Sequence, residues 1–191
     1  MIVLILGLLM FLGVHSLRIF ADEWRAARIR QWGEKGWMAA AGAVSLVGFI
    51  LIIWGYGMAR MAPIVVWYPP AWLTHVTALL SLLAFIIMAA AFVPGNHIKS
   101  AVKHPMVISV KAWSFGHLLA NGMLADILLF GAFLVWSVLC FRSLRQRDQA
   151  QVAAIPAANI KGTFITLGAG LAGYLVFAFF LHEWLIGVPV K

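Results

Sequence analysis

The sequence predicts an all-α, polytopic membrane protein with one domain, residues 1–191, and about six transmembrane helices in one bundle. Three observations lead there. The chain is 64% hydrophobic and only 10% charged, whereas a soluble domain is about half apolar and about a quarter charged. Several apolar segments approach the roughly 20 residues that a bilayer span needs. Twelve of the fourteen Lys and Arg residues fall in alternate connections between those segments.

The segments are 2–20, 37–57, 71–93, 105–120, 122–141 and 162–185. Residues 2–13 resemble the core of a secretory leader, but no basic residue precedes them and no small-residue cleavage pattern follows. They are therefore read as the start of a first spanning helix. Pro69-Pro70 breaks the chain ahead of the third segment. Asn121-Gly122 reads as a helix stop and tight turn, so the fourth and fifth segments are expected to form a helical hairpin. The alternative is one long kinked helix and five spans. Residues 148–160 read as a small-residue linker.

The net charge of +8 does not indicate nucleic acid, because the basic residues are distributed by loop. Arg18 to Lys35, Lys99 to Lys111 and Arg142 to Lys161 hold twelve of them, and the opposite side holds Arg60 and Lys191. The positive-inside rule then places the rich connections in the cytoplasm and both termini in the periplasm of a bacterial inner membrane. Trp54, Tyr56, Trp67, Tyr68, Trp72 and Trp184 on one side, and Trp24, Trp32 and Trp37 on the other, fit interfacial aromatic belts. Gly168, Gly170 and Gly173 suit close helix packing, within the chain or against a membrane-protein partner or second copy. Cys140 is the single cysteine, which excludes an internal disulfide and multi-cysteine metal sites.

Polar residues inside the spans carry the functional signal. His15 lies late in the first segment, His75 early in the third, and His104 opens the fourth, with His117 about three turns further on. His97 and His182 read as interfacial side chains. Asp126 is the one acid clearly inside the membrane, so a carboxylate pair for hydrolysis is absent. Haem suits histidines without cysteines or paired acids. It is flat and apolar, and two imidazoles can ligate its iron from opposite faces. Arg18, three residues from His15, could meet a propionate. Asn121 and Asp126 could orient an imidazole, or cap the hairpin. Depth favours pairing His15 with His104 or His75 with His117, because His117 lies roughly 18 Å along the fourth helix.

"GLLMFLGVHSLRI" (7–19), "KHPMVISVKAWSFGHLLANGMLADILLFGAFLVWS" (103–137) and "RSLRQRD" (142–148) resemble the NnrU family of bacterial membrane proteins. The resemblance implies a link to nitrogen-oxide metabolism, including denitrification. The family also contains relatives of the plant 15-cis-zeta-carotene isomerase, which holds haem b between two histidines and isomerises a polyene. By motif those ligands correspond to His15 in "GVHS" and His117 in "GHLLANG". The resemblance thus implies haem b, and an isomerase or redox protein acting on a lipophilic substrate. Three residues before the second ligand the isomerase has a cysteine where this chain has Ser114, so a cysteine-based ligand switch is not expected. A non-enzymatic accessory role in denitrification is a second expectation. A third comes from "KHPMVISV", which resembles the R-H-P-x-Y stretch of membrane methyltransferases using S-adenosylmethionine, with Val107 in place of the aromatic. His104-Pro105 also reads simply as a helix start.

Overall fold

The computed structural model describes residues 1–150, 157–188 and 190. All regular elements are helical: α1 (Ile2–Phe20), α2 (Asp22–Met61), α3 (Leu73–Phe92), α4 (His97–Val102), α5 (Pro105–Ala120), α6 (Leu124–Ala150), α7 (Ile160–Val176) and α8 (His182–Ile186). A π-helical turn, Phe177–Leu181, joins α7 to α8. Among the described residues five helices are long and apolar enough to cross a membrane: α1, α2, α3, α6 and the α7–α8 rod. Their lipid-facing character is plain in Phe164, Phe179, Phe180 and Trp184, which are 66–78% exposed. Such side chains are at home against acyl chains, where apolar exposure carries no penalty.

α5 has 16 residues, a rise of about 24 Å, yet its ends lie at opposite ends of the bundle. At its start, the His104 imidazole meets the Asp148 carboxylate late in α6 at 2.8 Å. At its end, the Gly122 carbonyl accepts from the Val66 and Trp67 amides of the α2–α3 connection at 2.9 and 3.2 Å. α5 therefore runs from one end of the bundle to the other, although it is not among the five long apolar helices. α5 and α6 are separate helices packed on each other, which is the hairpin the Asn121-Gly122 turn predicts. His104 caps α5 with Pro105 in its first turn, where a missing N–H loses nothing.

Neighbouring helices follow one another as α2, α1, α6, α5, α3, α7. At one end the row closes on itself, because the Arg60 guanidinium donates to the Ile186 carbonyl at 2.7 Å. The other end gathers the basic residues. There the Arg147 side chain donates to the Arg18 carbonyl at 3.2 Å, and Gly95 pairs with Asn159.

Two expected connections are helical instead. Residues 22–32 form the first part of α2, interrupted at Gly33, whose φ of 72° and ψ of 164° leave the helical region. This arm carries Arg25 over the Trp37 ring at 5.9 Å and Arg28 over Trp24 at 5.8 Å, a cation–π cluster suited to a headgroup layer. The basic stretch 142–148 continues α6 to Ala150. The linker expected over 148–160 lies partly outside the described residues, as does Lys191.

Small residues set the tightest approaches. A Cβ at Gly48 would lie 2.7 Å from the Phe11 backbone nitrogen, so α1 crosses α2 at backbone contact. Gly170 faces Ile86 of α3 and Gly173 faces Phe85, while Gly168 faces open space. Gly170 and Gly173 thus pack α7 on α3.

Candidate functional site

A cavity of about 300 Å³ opens between α3, α5, the π turn and α8. That lies at the small end of the range for ligand sites. Phe85, Trp113 and Phe177 give it apolar walls, and His117 and His182 are its imidazoles. α3 can lie close to this part of α5 because Gly116 has no side chain; a Cβ there would meet Leu80 at 3.1 Å. The Thr77 hydroxyl locks the contact by donating to the Gly116 carbonyl at 2.6 Å.

His117 is held firmly. Its Nδ1 lies 3.0 Å from the Trp113 carbonyl, and its ring lies 4.6 Å from Phe130 and 5.3 Å from Trp113. A carbonyl only accepts, so Nδ1 carries the proton and Nε2 keeps its lone pair. His182 repeats the arrangement, with Nδ1 2.7 Å from the Val188 carbonyl. Both imidazoles are thus oriented as metal-binding or hydrogen-bond-accepting groups.

The other expected site residues lie elsewhere. His15 is exposed on α1, with Nδ1 2.7 Å from the Phe11 carbonyl. His75 is exposed at the start of α3, outside the cavity lining. His104 pairs with Asp148 at the basic end. Arg18 is exposed at the end of α1. Ser114 is fully buried, and its hydroxyl donates to the Val110 carbonyl at 2.7 Å within its own helix.

Asn121 lines the cavity, but its amide donates to the His117 backbone carbonyl at 2.8 Å. Asp126 is buried, accepts from the Tyr56 hydroxyl at 2.6 Å and from the Met123 amide at 3.2 Å. Both therefore cap the hairpin. The acceptor that orients His117 is a backbone carbonyl four residues back, not Asn121 or Asp126.

The His15 and His117 rings are not paired with each other here. Two imidazoles on one metal, with bonds of about 2 Å each, bring their nitrogens about 4 Å apart. An unbroken run of rings, Phe11, Phe133 and Trp113, leads instead from His15 to His117, with centroid spacings of 4.4, 5.9, 5.7 and 5.3 Å. His15 stands beside Trp136 and His117 beside Phe130, six residues apart on α6, or about 9 Å of rise. His117 itself fits an iron ligand: a free, fixed Nε2 at an apolar cavity. Among the described residues no three His, Cys, Asp or Glu side chains come together to hold a bare metal ion.

A family model described as NnrU protein matches residues 3–190, nearly the whole chain. The chain belongs to the NnrU family. It is a multi-pass membrane protein of a family linked to nitrogen-oxide metabolism. No curated protein and no solved structure matches this NnrU protein. Of the residues that carried the resemblance, His117 lines the NnrU protein's cavity and His15 does not. Sequence reasoning passed over His182, because a lone histidine near the end of a last helix reads as interfacial. Spacing gave no signal either: in a regular helix residue 181, seven after Tyr174, falls on the cavity face, and the π turn over Phe177–Leu181 brings His182 there instead.

Proposed function

We propose that this NnrU protein binds haem b in the bacterial inner membrane, with His117 as an iron ligand and the adjoining cavity as the pocket. The carrying observation is the His117 imidazole, fixed through Nδ1 to Trp113 and free at Nε2. Its surroundings support a macrocycle. Phe85, Trp113 and Phe177 offer flat apolar contact from helices, which hold a ligand in place better than loops do. Haem would supply an iron centre able to bind nitric oxide or to polarise a conjugated lipophilic substrate. The chain's part is to fix one axial nitrogen and keep bulk water out. The basic end faces the cytoplasm in this reading, since three arginine- and lysine-rich stretches gather there.

A methyltransferase site at "KHPM" has little support, because His104 is occupied with Asp148 and with starting α5. The deciding experiment is purification in detergent from haem-supplemented cells. A Soret band is expected from the wild type and its loss from His117→Ala, with the helical circular-dichroism spectrum unchanged. A wild-type protein without the band, even after haem addition, overturns the proposal. Adding nitric oxide and, separately, a poly-cis carotene to the haem form then separates a nitric-oxide-handling accessory from an isomerase.

A further inference from the structure

We infer that the groove between α1 and α6 is a binding site for one acidic phospholipid of the membrane, with an acyl chain along the groove and the phosphate at Arg18 and Arg142.

The groove has a volume of about 500 Å³, within the range of ligand sites. Leu12 and Ser16 line it from α1, and Leu128, Ala132, Val135 and Leu139 from α6. The α6 residues recur every three or four positions, the pattern of one helix face. Gly131 lies among them, and a Cβ there would have nothing within 4 Å. This glycine therefore leaves space that no protein atom fills. Val135 is 60% exposed, so the groove opens sideways, toward lipid. From Ile127 to Leu139 the α6 side rises about 18 Å, a little more than half of a hydrocarbon core of roughly 30 Å. That length suits an acyl chain of one leaflet. No residue of the groove lines the His117 cavity.

Two cations stand at one end. The α6 face continues beyond Leu139 to Arg142, three residues on and exposed. α1 runs beside α6 in the same direction: the Phe11 ring lies 5.9 Å from Phe133, and His15 lies 6.2 Å from Trp136. Arg18, three residues past His15, is therefore about level with Leu139, and it too is exposed. Arg147 ties the two helix ends together through the Arg18 carbonyl at 3.2 Å. Nearby acids are engaged elsewhere, Asp148 with His104 and Asp22 with Arg25. The Ser16 hydroxyl lies two residues inward of Arg18, about 3 Å of rise, the level of the ester groups beneath a lipid phosphate.

Charge decides the occupant. A neutral polyene would leave both arginines unmatched. A second copy of the chain, with its net charge of +8, would bring like charge to like. A phosphodiester instead takes charge-assisted hydrogen bonds from guanidinium groups, and basic residues beside a span attract acidic lipids.

The test adds phosphatidylglycerol and phosphatidylcholine with identical chains to the protein in detergent and reads bound lipid by native mass spectrometry. The wild type is expected to hold one phosphatidylglycerol in preference. Arg18→Gln/Arg142→Gln should lower its affinity about 25-fold, at about fivefold for each cation near a lipid surface. Arg18→Lys/Arg142→Lys should keep most of it. Gly131→Leu places a side chain in the groove and should lower the occupancy of both lipids, with the circular-dichroism spectrum unchanged. The arginine variants lie at the surface and decide the matter if Gly131→Leu fails to fold. Glycerol phosphate, which has the anion without the chain, should not compete. Equal binding of the two lipids by the wild type overturns the proposal, as does a phosphatidylglycerol preference that survives the loss of both arginines. Full binding by folded Gly131→Leu, or full competition by glycerol phosphate, would place the anion at the arginines alone and remove the groove from the site. If Gly131→Leu instead converts an oligomer to a monomer and leaves lipid binding intact, the groove holds a second copy and the lipid site falls.

Discussion

Asp126 shows how a single buried acid is tolerated inside a membrane protein. Its two oxygens are filled by the Tyr56 hydroxyl and the Met123 amide, and Arg60 lies over the Tyr56 ring at 5.8 Å before reaching Ile186. One connected chain of polar groups thus ties α2, α6 and α8 together at the end where the row closes. Removing the phenolic hydroxyl leaves a buried acceptor short of a donor, which costs about 1–3 kcal/mol. Tyr56→Phe is therefore expected to lower stability in detergent by that amount, read by chemical or thermal unfolding. An unchanged midpoint would show that this hydrogen bond contributes nothing net. At the same scale, the Ser114 hydroxyl is buried and spent on its own helix.

Between elements, close packing depends on which glycines meet backbone. Gly48 and Gly42 lie on the same helix, one against Phe11 and the other with nothing within 4 Å. The Gly48→Ala methyl would meet main-chain atoms that cannot rotate away, so α1 and α2 must separate. Overpacking of this kind costs about 1–3 kcal/mol. Gly42→Ala is expected to stay within about 0.5 kcal/mol of wild type. Unfolding of the two variants side by side checks the contrast, and equal midpoints would remove backbone contact as its cause. The helix spans and the Asn121-Gly122 turn were legible because hydropathy and turn chemistry are local signals. The arm at 22–32 and the extension of α6 through 142–148 were not. Their charges resemble those of a loop, and they are helical because an arginine-rich helix can lie along or beyond a membrane surface without burying its polar face.

For the whole molecule, six passes require the two ends of α5 to lie on opposite faces. In a Cys140→Ser background, cysteines at Ala21 and Arg145 should label from one side of the membrane, and a cysteine at Pro70 from the other. Labelling of Arg145→Cys from the same side as Pro70→Cys would mean that α5 does not cross. The basic tally leads to the same expectation, since three rich connections on one face require an even number of passes between them. The site was less legible than the topology. His117 was visible as a polar residue deep in an apolar helix, and it lines the cavity. His182, which lines the same cavity, was not, because a π turn leaves no mark in residue type or spacing.

The sequence by itself determined that this chain lies in a membrane, where its apolar segments run and where α5 turns into α6, and which connections carry the positive charge. Those properties are sums over neighbouring residues and need no partner. Only the tertiary structure decided which histidines share a cavity. That depends on the order in which helices pack, on an aromatic run between His15 and His117, and on one extra residue in the turn before His182. Each is fixed by contacts between residues far apart in the chain or by backbone geometry, and composition carries no record of either.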